Sequence, residues 1–204
     1  MVESSPPIVP YPAAPLAVVD WDPRWPEAAA RIAAIIGRRR SDVIVHHIGS
    51  TSVRGLAAKP VIDMLVAVPS IAVAERYAAA LVRRGYEAVE PRYREIWLER
   101  IMLTRREDGR RVCHVHLVLG HHAMWERLLA FRNYLRSHPD VAAEYAALKR
   151  TLAASLGQDR HAYMTAKGEF IDRITAIAMT PGGGPGEIKR GGGPRTRFPP
   201  ARLP

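Results

Sequence analysis

Cys113 is the single cysteine in 204 residues, so an internal disulfide cannot form and a disulfide-stapled scaffold is excluded. A reducing, cytoplasmic setting is therefore expected. No uncharged apolar run reaches the roughly 18 residues a membrane span needs, so a membrane-crossing helix is excluded. The beginning of the chain lacks the basic start and apolar stretch of a secretory signal. The glycine-rich stretch after Thr180 lacks the Gly-Lys-Ser/Thr ending of a P-loop. Ser-His-Asp and Cys-His nucleophile patterns are also missing. Lysine is scarce, with Lys59, Lys149, Lys167 and Lys189 set against many arginines. Aromatics make up 7% and form no stripe among the basic residues, which disfavours nucleic acid as the main partner.

An apolar fraction of 48% and a charged fraction of 25% fit one ordinary globular domain. The formal charge is +10, but Pro181–Pro204 holds five basic residues and one acid and so carries +4 of it. The remaining, modestly basic body suits phosphorylated substrates as well as polynucleotides. Residues 1–16 contain five prolines and no periodic pattern, and read as an extended or mobile arm. Residues 180–204 are rich in Gly, Pro and Arg, and read as a flexible basic tail. The folded domain is expected over 17–179, with no internal repeat.

Within that span Leu16–Asp20 is short, apolar and β-branched, and Trp21-Asp22-Pro23 reads as a turn. Ala29, Ile32, Ala33 and Ile36 recur at helical spacing from Trp25 to Ile36, with Gly37 as a stop. Val43–Ile48 reads as a strand, and Val61–Val68 as a buried central strand interrupted only by Asp63. Ile71–Arg84 has helical periodicity and ends at Gly85. Glu95–Thr104 and Arg111–Leu119 flank an Asp108-Gly109 hairpin signal. From there helices are expected at Ala123–Arg136, Asp140–Leu156 (stopped by Gly157) and Arg160–Met179. Strands first and helices last give an α/β (α+β) class, a mixed sheet covered by a helical C-terminal subregion.

The chemistry concentrates where the second strand runs into Gly49-Ser50-Thr51-Ser52. Glycine there lets a phosphate approach the backbone, and the hydroxyls can cap the next helix or turn. The same tetrapeptide also suits an ordinary capped turn. Asp63 shifts the balance, because a carboxylate inside an apolar strand is costly to bury unless it is paired or ligates a metal. It lies thirteen residues after Ser50, within reach if the two strands are neighbours.

The run from His47 to Asp63 (His47-Ile48-Gly49-Ser50-Thr51-Ser52-Val53-Arg54-Gly55-Leu56-Ala57-Ala58-Lys59-Pro60-Val61-Ile62-Asp63) resembles the signature of the GrpB family. That family often has proline where this chain has Arg54. His114-Val115-His116-Leu117, Phe131–Arg136, Leu148-Lys149, and Tyr163 with Lys167 extend the resemblance over about residues 17 to 178. It implies a nucleotidyltransferase-like mixed sheet with flanking helices. A role in nucleotide or cofactor metabolism is a further hint, since some relatives are fused to a dephospho-coenzyme A kinase. In the wider superfamily the turn holds a triphosphate while strand carboxylates bind divalent metal.

This chain departs from that pattern. Active members carry Asp-x-Asp on one strand and a third acid on a neighbour, whereas here Asp63-Met64-Leu65 has leucine at the second position. The strand Arg111–Leu119 offers His114 and His116 and no carboxylate, so the usual pair of Mg²⁺ ions cannot be assembled. His114 and His116 share one strand face and with Asp63 could hold a single divalent cation. Mn²⁺, Mg²⁺ or Zn²⁺ come into view, two imidazoles favouring Mn²⁺, Fe²⁺ or Zn²⁺ over Mg²⁺. The same residues also read as hydrogen-bonded neighbours without metal. His46 and His47 point to opposite faces, and His121-His122 reads as a helix-entry pair. Val118 stands where a histidine-triad hydrolase would need its third histidine, which rejects that motif. Cys113 alternates away from the histidines toward the apolar side.

Lys59 precedes the Asp63 strand and could reach phosphate oxygens or lie in a solvated loop. Arg132 and Arg136 share a helix face, and Lys149 and Lys167 lie on the next two helices. Converged, these four would clamp a polyanion; read singly, each is a solvated surface charge. Arg38-Arg39-Arg40 and Arg105-Arg106 read as helix-end and hairpin-tip charges. Tyr134 and Tyr163 could stack on a base or pack in the core, and Trp97, Trp125 and Phe131 read as core.

The expected function is binding of a nucleotide or phosphorylated small molecule at Gly49, Ser50, Thr51 and Ser52. Asp63 is the candidate catalytic residue of a nucleotidyl transfer with one divalent metal. A non-catalytic module of the same fold is the alternative, and a basic RNA-binding accessory protein a third reading.

Overall fold

The computed structural model describes residues 8–9, 17–37, 43–89, 100–156 and 159–180. Gly157, Trp97, Arg38–Arg40, residues 95–99 and most of the two terminal segments lie outside them. Strands β1 (Ile8–Val9), β2 (Ile44–Ile48), β3 (Ile62–Val68), β4 (Tyr86–Val89), β5 (Arg100–Glu107) and β6 (Arg110–Leu119) form one mixed sheet. Their order is β1-β4-β5-β6-β3-β2. Helices α1 (Trp25–Gly37) and α2 (Ile71–Val82) interleave with the strands. Helices α3 (Ala123–Ser137), α4 (Pro139–Leu156) and α5 (Arg160–Met179) close the chain.

β3 is an interior strand next to the edge strand β2, and apart from Asp63 it is apolar and buried throughout. It pairs antiparallel with β2 and parallel with β6, and Leu65, Val66 and Val68 are fully buried. The alternation of a strand then sorts its side chains. Ile62, Met64, Val66 and Val68, with Cys113, Val115 and Leu117 of β6, face α1 and α2. Those helices meet them with Trp25, Ala29, Ile36, Tyr77 and Leu81. The opposite face carries Asp63, His114 and His116, while Leu65, Ile48 and Val118 sit beneath Met124, Trp125, Leu128 and Leu129 of α3. A separate apolar cluster joins Val53, Leu56 and Ala57 to the three C-terminal helices through Leu135, Tyr145, Phe170 and Ile174. That cluster brings the helices of the last third onto the Gly49–Ala57 segment.

Local chemistry sets the ends of these elements. Ser70 caps α2 by accepting from the Val73 N–H at 3.3 Å, and Asp159 caps α5 by accepting from Ala162 at 2.9 Å. His122 caps α3 through Nδ1, which accepts from Met124 N–H at 3.1 Å, so this member of the histidine pair is a helix-entry residue. Asp108 and Gly109 both have positive φ (49° and 73°), the requirement of a tight hairpin turn matching the strand twist. The strands accordingly run to Glu107 and from Arg110, one residue beyond the start expected at Arg111.

Two expectations need correction. Among residues 17–20 there is no strand, only an isolated antiparallel bridge between Val19 and Ala58. Strand β4, directly after Gly85 (φ 83°), has no counterpart among the expected elements. It is short, and its pairing with β5 joins Glu87 to Arg106 at 3.1 Å.

Candidate functional site

β2 ends at Ile48, and the chain turns at Gly49 with φ +69°, a left-handed conformation that side chains disfavour. Ser50–Ser52 then form a single 3₁₀ turn, closed by Ser52 N–H donating to Gly49 C=O at 3.2 Å and Ser52 Oγ donating to the same oxygen at 2.6 Å. His47 Nε2 lies 2.9 Å from Thr51 Oγ1, and Trp21 Nε1–H donates to Thr51 C=O at 3.3 Å. Thr51 and Ser52 are buried by these contacts, whereas Gly49 and Ser50 stay half-buried. Two of the four hydroxyl and glycine positions thus build the turn and two face the site.

Asp63 lies directly across from Ile48 on β2 and from His114 on β6. The strand register therefore stacks the turn, the carboxylate and the imidazole in one row. His114 Nδ1 is 3.0 Å from Asp63 Oδ1, and His116 Nε2 is 3.6 Å from the same oxygen. Arg100 Nη1 approaches His116 Nδ1 at 3.5 Å. A guanidinium only donates, so this contact favours the His116 tautomer that carries its proton on Nε2, toward Asp63. Burial works to raise the Asp63 pKa, but the hydrogen bonds and charge of His114 and His116 outweigh it and hold the carboxyl well below its usual range. Burial pushes His116 below its ordinary value, opposed by Asp63.

The lysines arrive from three directions. Lys149 of α4 is 3% exposed, and its Nζ donates to Ser50 Oγ at 2.9 Å and to Ala57 C=O. The ammonium lies 4.5 Å from the Tyr145 ring centroid. Burial, with the charges of Lys167 and Arg150, lowers its pKa to about 7. Lys167 of α5 is lowered by burial and supported by the charge of Asp63. Lys59, just before β3, and Lys167 both approach the Tyr163 ring, at 5.3 Å and 5.8 Å from its centroid. Tyr145, stacked on Phe170 at 4.9 Å, reaches Ser50 with its hydroxyl, and burial raises its pKa.

The expected four-membered clamp divides in two. Arg132 donates to His47 C=O at 3.0 Å and to Asn133 Oδ1 at 3.0 and 2.8 Å, and burial and Arg136 push its pKa down to about 10. Arg136 donates twice to Ser52 C=O, at 3.0 and 2.8 Å. Both arginines thus tie α3 to the backbone around the turn and position it. Lys149 and Lys167 are the helical cations that reach the Ser50–Asp63 side.

The remaining candidates fall into place around this centre. His46 packs on Trp125 at 5.3 Å and does not join Asp63. Tyr134 stacks on His138 at 3.8 Å. Cys113 is wholly buried among the apolar residues, which raises its thiol to about 12. Tyr145 escaped sequence reasoning, although its place four residues before Lys149 puts it on the same helix face.

A pair of divalent metal ions does not fit these residues. The second acid position is Leu65, fully buried between Ile48 and Val118. Among the described residues no group of three or more His, Cys, Asp and Glu is arranged to hold a metal ion. His114 is within hydrogen-bonding range of Asp63, and His116 makes a longer ion-pair contact with the same oxygen at 3.6 Å.

A family model described as GrpB protein matches residues 15–176. A UPF0157 protein of Streptomyces coelicolor is 40% identical over 162 residues, covering 78% of this chain and 82% of that one. The UPF0157 protein YqkA of Bacillus subtilis is 33% identical over 165 residues, covering 79% of this chain, which spans only 46% of that protein's length. Among solved structures, the conserved protein GrpB from Enterococcus faecalis superposes with a TM-score of 0.66 at 35% identity, covering 79% of this chain and 96% of that chain.

Proposed function

The chain belongs to the GrpB family, and we propose that it binds a nucleotide or another phosphorylated small molecule on the Gly49-Ser50 turn. One observation carries this reading: the buried Lys149 donates to Ser50 Oγ at 2.9 Å, and burial with the charge of the half-buried Lys167 depresses its pKa. A buried ammonium without sufficient counter-charge is costly. The Asp63 carboxylate supports Lys167 by its charge, but it is already engaged with His114 and His116. An anionic ligand would supply the missing charge. Ser50 Oγ and Lys149 Nζ would touch its phosphate first, with Lys167 and Lys59 beyond.

Nucleotidyl transfer with a single divalent cation is a second reading. Its ligands would be Asp63, His114 and His116, which lie on one face of the sheet. A cation there would polarise a phosphoryl oxygen; the chain's own part would be to orient the ligand through Ser50 and the lysines. No described helix is long and apolar enough to cross a membrane.

Thermal shift across nucleoside triphosphates, coenzyme A precursors and phosphosugars tests the proposal, with wild type and Asp63→Asn run in parallel. A ligand at about 100 times its Kd contributes roughly 2.7 kcal/mol, a visible shift. Stabilisation of wild type by a phosphate-bearing ligand is the expected result. Stabilisation that also needs a divalent cation and vanishes in Asp63→Asn supports the transfer reading. Silence across the whole panel rejects both.

A further inference from the structure

We propose that Ser50 and Lys149 form a nucleophile and general-base pair, the serine hydroxyl attacking the carbonyl carbon of an ester and the lysine amine taking its proton. The pairing goes beyond phosphate binding and does not rest on it. Lys149 Nζ lies 2.9 Å from Ser50 Oγ, close enough for a proton to pass directly. The lysine is buried, whereas Ser50 is half-buried on the turn, so the nucleophile meets solvent and the base behind it does not. Neither acceptor of Lys149, Ser50 Oγ or Ala57 C=O, carries a charge. An ammonium desolvated in this way gives up its proton readily. Burial, with the cations Lys167 and Arg150, brings its pKa to about 7, where a general base serves best near neutrality.

The neighbours suit the neutral amine. Its lone pair takes the Ser50 proton, while Ala57 C=O accepts one of its N–H bonds and so orients it. Tyr145, one helical turn before Lys149, meets Ser50 with a hydroxyl that burial keeps protonated. Donated to Ser50 Oγ, that hydroxyl leaves the serine proton for the amine. An ester fits such a pair because one amine serves both halves of the reaction. Ser50 Oγ bonds to the carbonyl carbon as its proton passes to Lys149 Nζ. The bond from that carbon to the alcohol oxygen breaks, and the departing oxygen takes the proton. Water then attacks the acyl-serine, gives a proton to Lys149 and releases the acid, and Lys149 returns the proton to Ser50 Oγ. Ester and water are consumed, and alcohol and carboxylic acid are formed, with no further reactant.

The full chain treated with a fluorophosphonate and, separately, with p-nitrophenyl acetate tests the pair, read by intact mass and peptide mapping. Both reagents should modify Ser50, and Ser50→Ala should take neither. Lys149→Arg keeps a charged donor that does not give up its proton, so it should react about a hundredfold more slowly or worse. In wild type the rate should climb as pH rises through about 7. The groups acting on Lys149 are Lys167 of α5 and, from its own helix, Arg150 and Tyr145, with Tyr163 and Asp63 acting on Tyr145. Thermal melts separate lost reaction from lost fold, and the wild-type pH profile decides the role of Lys149 even where the variant does not fold. Absence of any Ser50 adduct overturns the proposal. A rate indifferent to pH overturns the assignment of Lys149 as base, as does a folded Lys149→Arg protein that reacts like wild type. A fluorophosphonate adduct without acetylation overturns the ester assignment. Each of these failures leaves phosphate binding standing, because neither reagent probes it.

Discussion

The Asp63 carboxylate lies against the bare Cα of Gly49: a Cβ built at position 49 would stand 2.4 Å from Asp63 Oδ2. Glycine is required there twice over, by this contact and by its φ of +69°. The close approach is what places the Ser50 hydroxyl, the carboxylate and the Lys149 ammonium in one site.

Gly49→Ala should therefore destabilise the fold by about 1–3 kcal/mol, in the range of a non-glycine residue held in a disfavoured backbone region. Part of that loss is the collision with Asp63. In an Asp63→Ala background the same change should cost measurably less, giving a coupling energy above about 0.5 kcal/mol in a urea double-mutant cycle. Additive losses would separate the two residues.

Acid should weaken the protein from near neutrality downward. His47 falls from 6.5 to about 4 because of burial, partly opposed by Asp63. Between those values the unfolded chain takes up a proton that the folded one refuses, so stability is lost as pH falls from about 6.5 toward 4. His46 and His116 are lowered too, chiefly by burial, and add slope in the same direction. Asp63, held below its ordinary 3.8, stabilises above that pH and loses its contribution as pH falls further toward its folded value. Urea unfolding from pH 7.5 to 4 should show this decline, and His47→Gln should flatten it.

Phosphate binding should draw in protons. With Lys149 lowered from 10.5 to about 7, a substantial share of the amine is neutral at pH 8, and a bound anion favours its charged form. Titrating ligand at pH 8 in two buffers of different ionisation enthalpy should reveal net proton uptake. In Lys149→Met the uptake should disappear.

Restoring the second acid should fail. Leu65 is fully buried against Ile48 and Val118 under α3, so Leu65→Asp places a carboxylate in an apolar cluster. A loss of more than about 3 kcal/mol in denaturant unfolding is expected. A stable Leu65→Asp protein would show that this layer tolerates charge after all.

Much of this architecture is legible in residues alone. The apolar run around Asp63 announces a central strand, and period-two alternation places His114 and His116 on one face and Cys113 on the other. Asp108-Gly109 announces the hairpin because few other pairs accept two positive φ angles. Four residues of β4 after Gly85 are too short to show a pattern, and Val19 is held by one bridge to Ala58 that no local signal encodes. The partners of the helical cations are equally hidden. A spacing of four puts Arg132 and Arg136 on one face, but only tertiary packing decides that this face meets the carbonyls of His47 and Ser52. Lys149 and Tyr145 reach Ser50 for the same reason, through the apolar cluster that docks α4 on the 53–57 segment.

The most direct test of phosphate binding at the turn is a crystal structure with the phosphate-bearing ligand that gives the largest thermal shift. A phosphate is expected within hydrogen-bonding distance of Ser50 Oγ and Lys149 Nζ. A ligand seated elsewhere, with Ser50 and Lys149 still bonded only to each other and to Ala57, would contradict it.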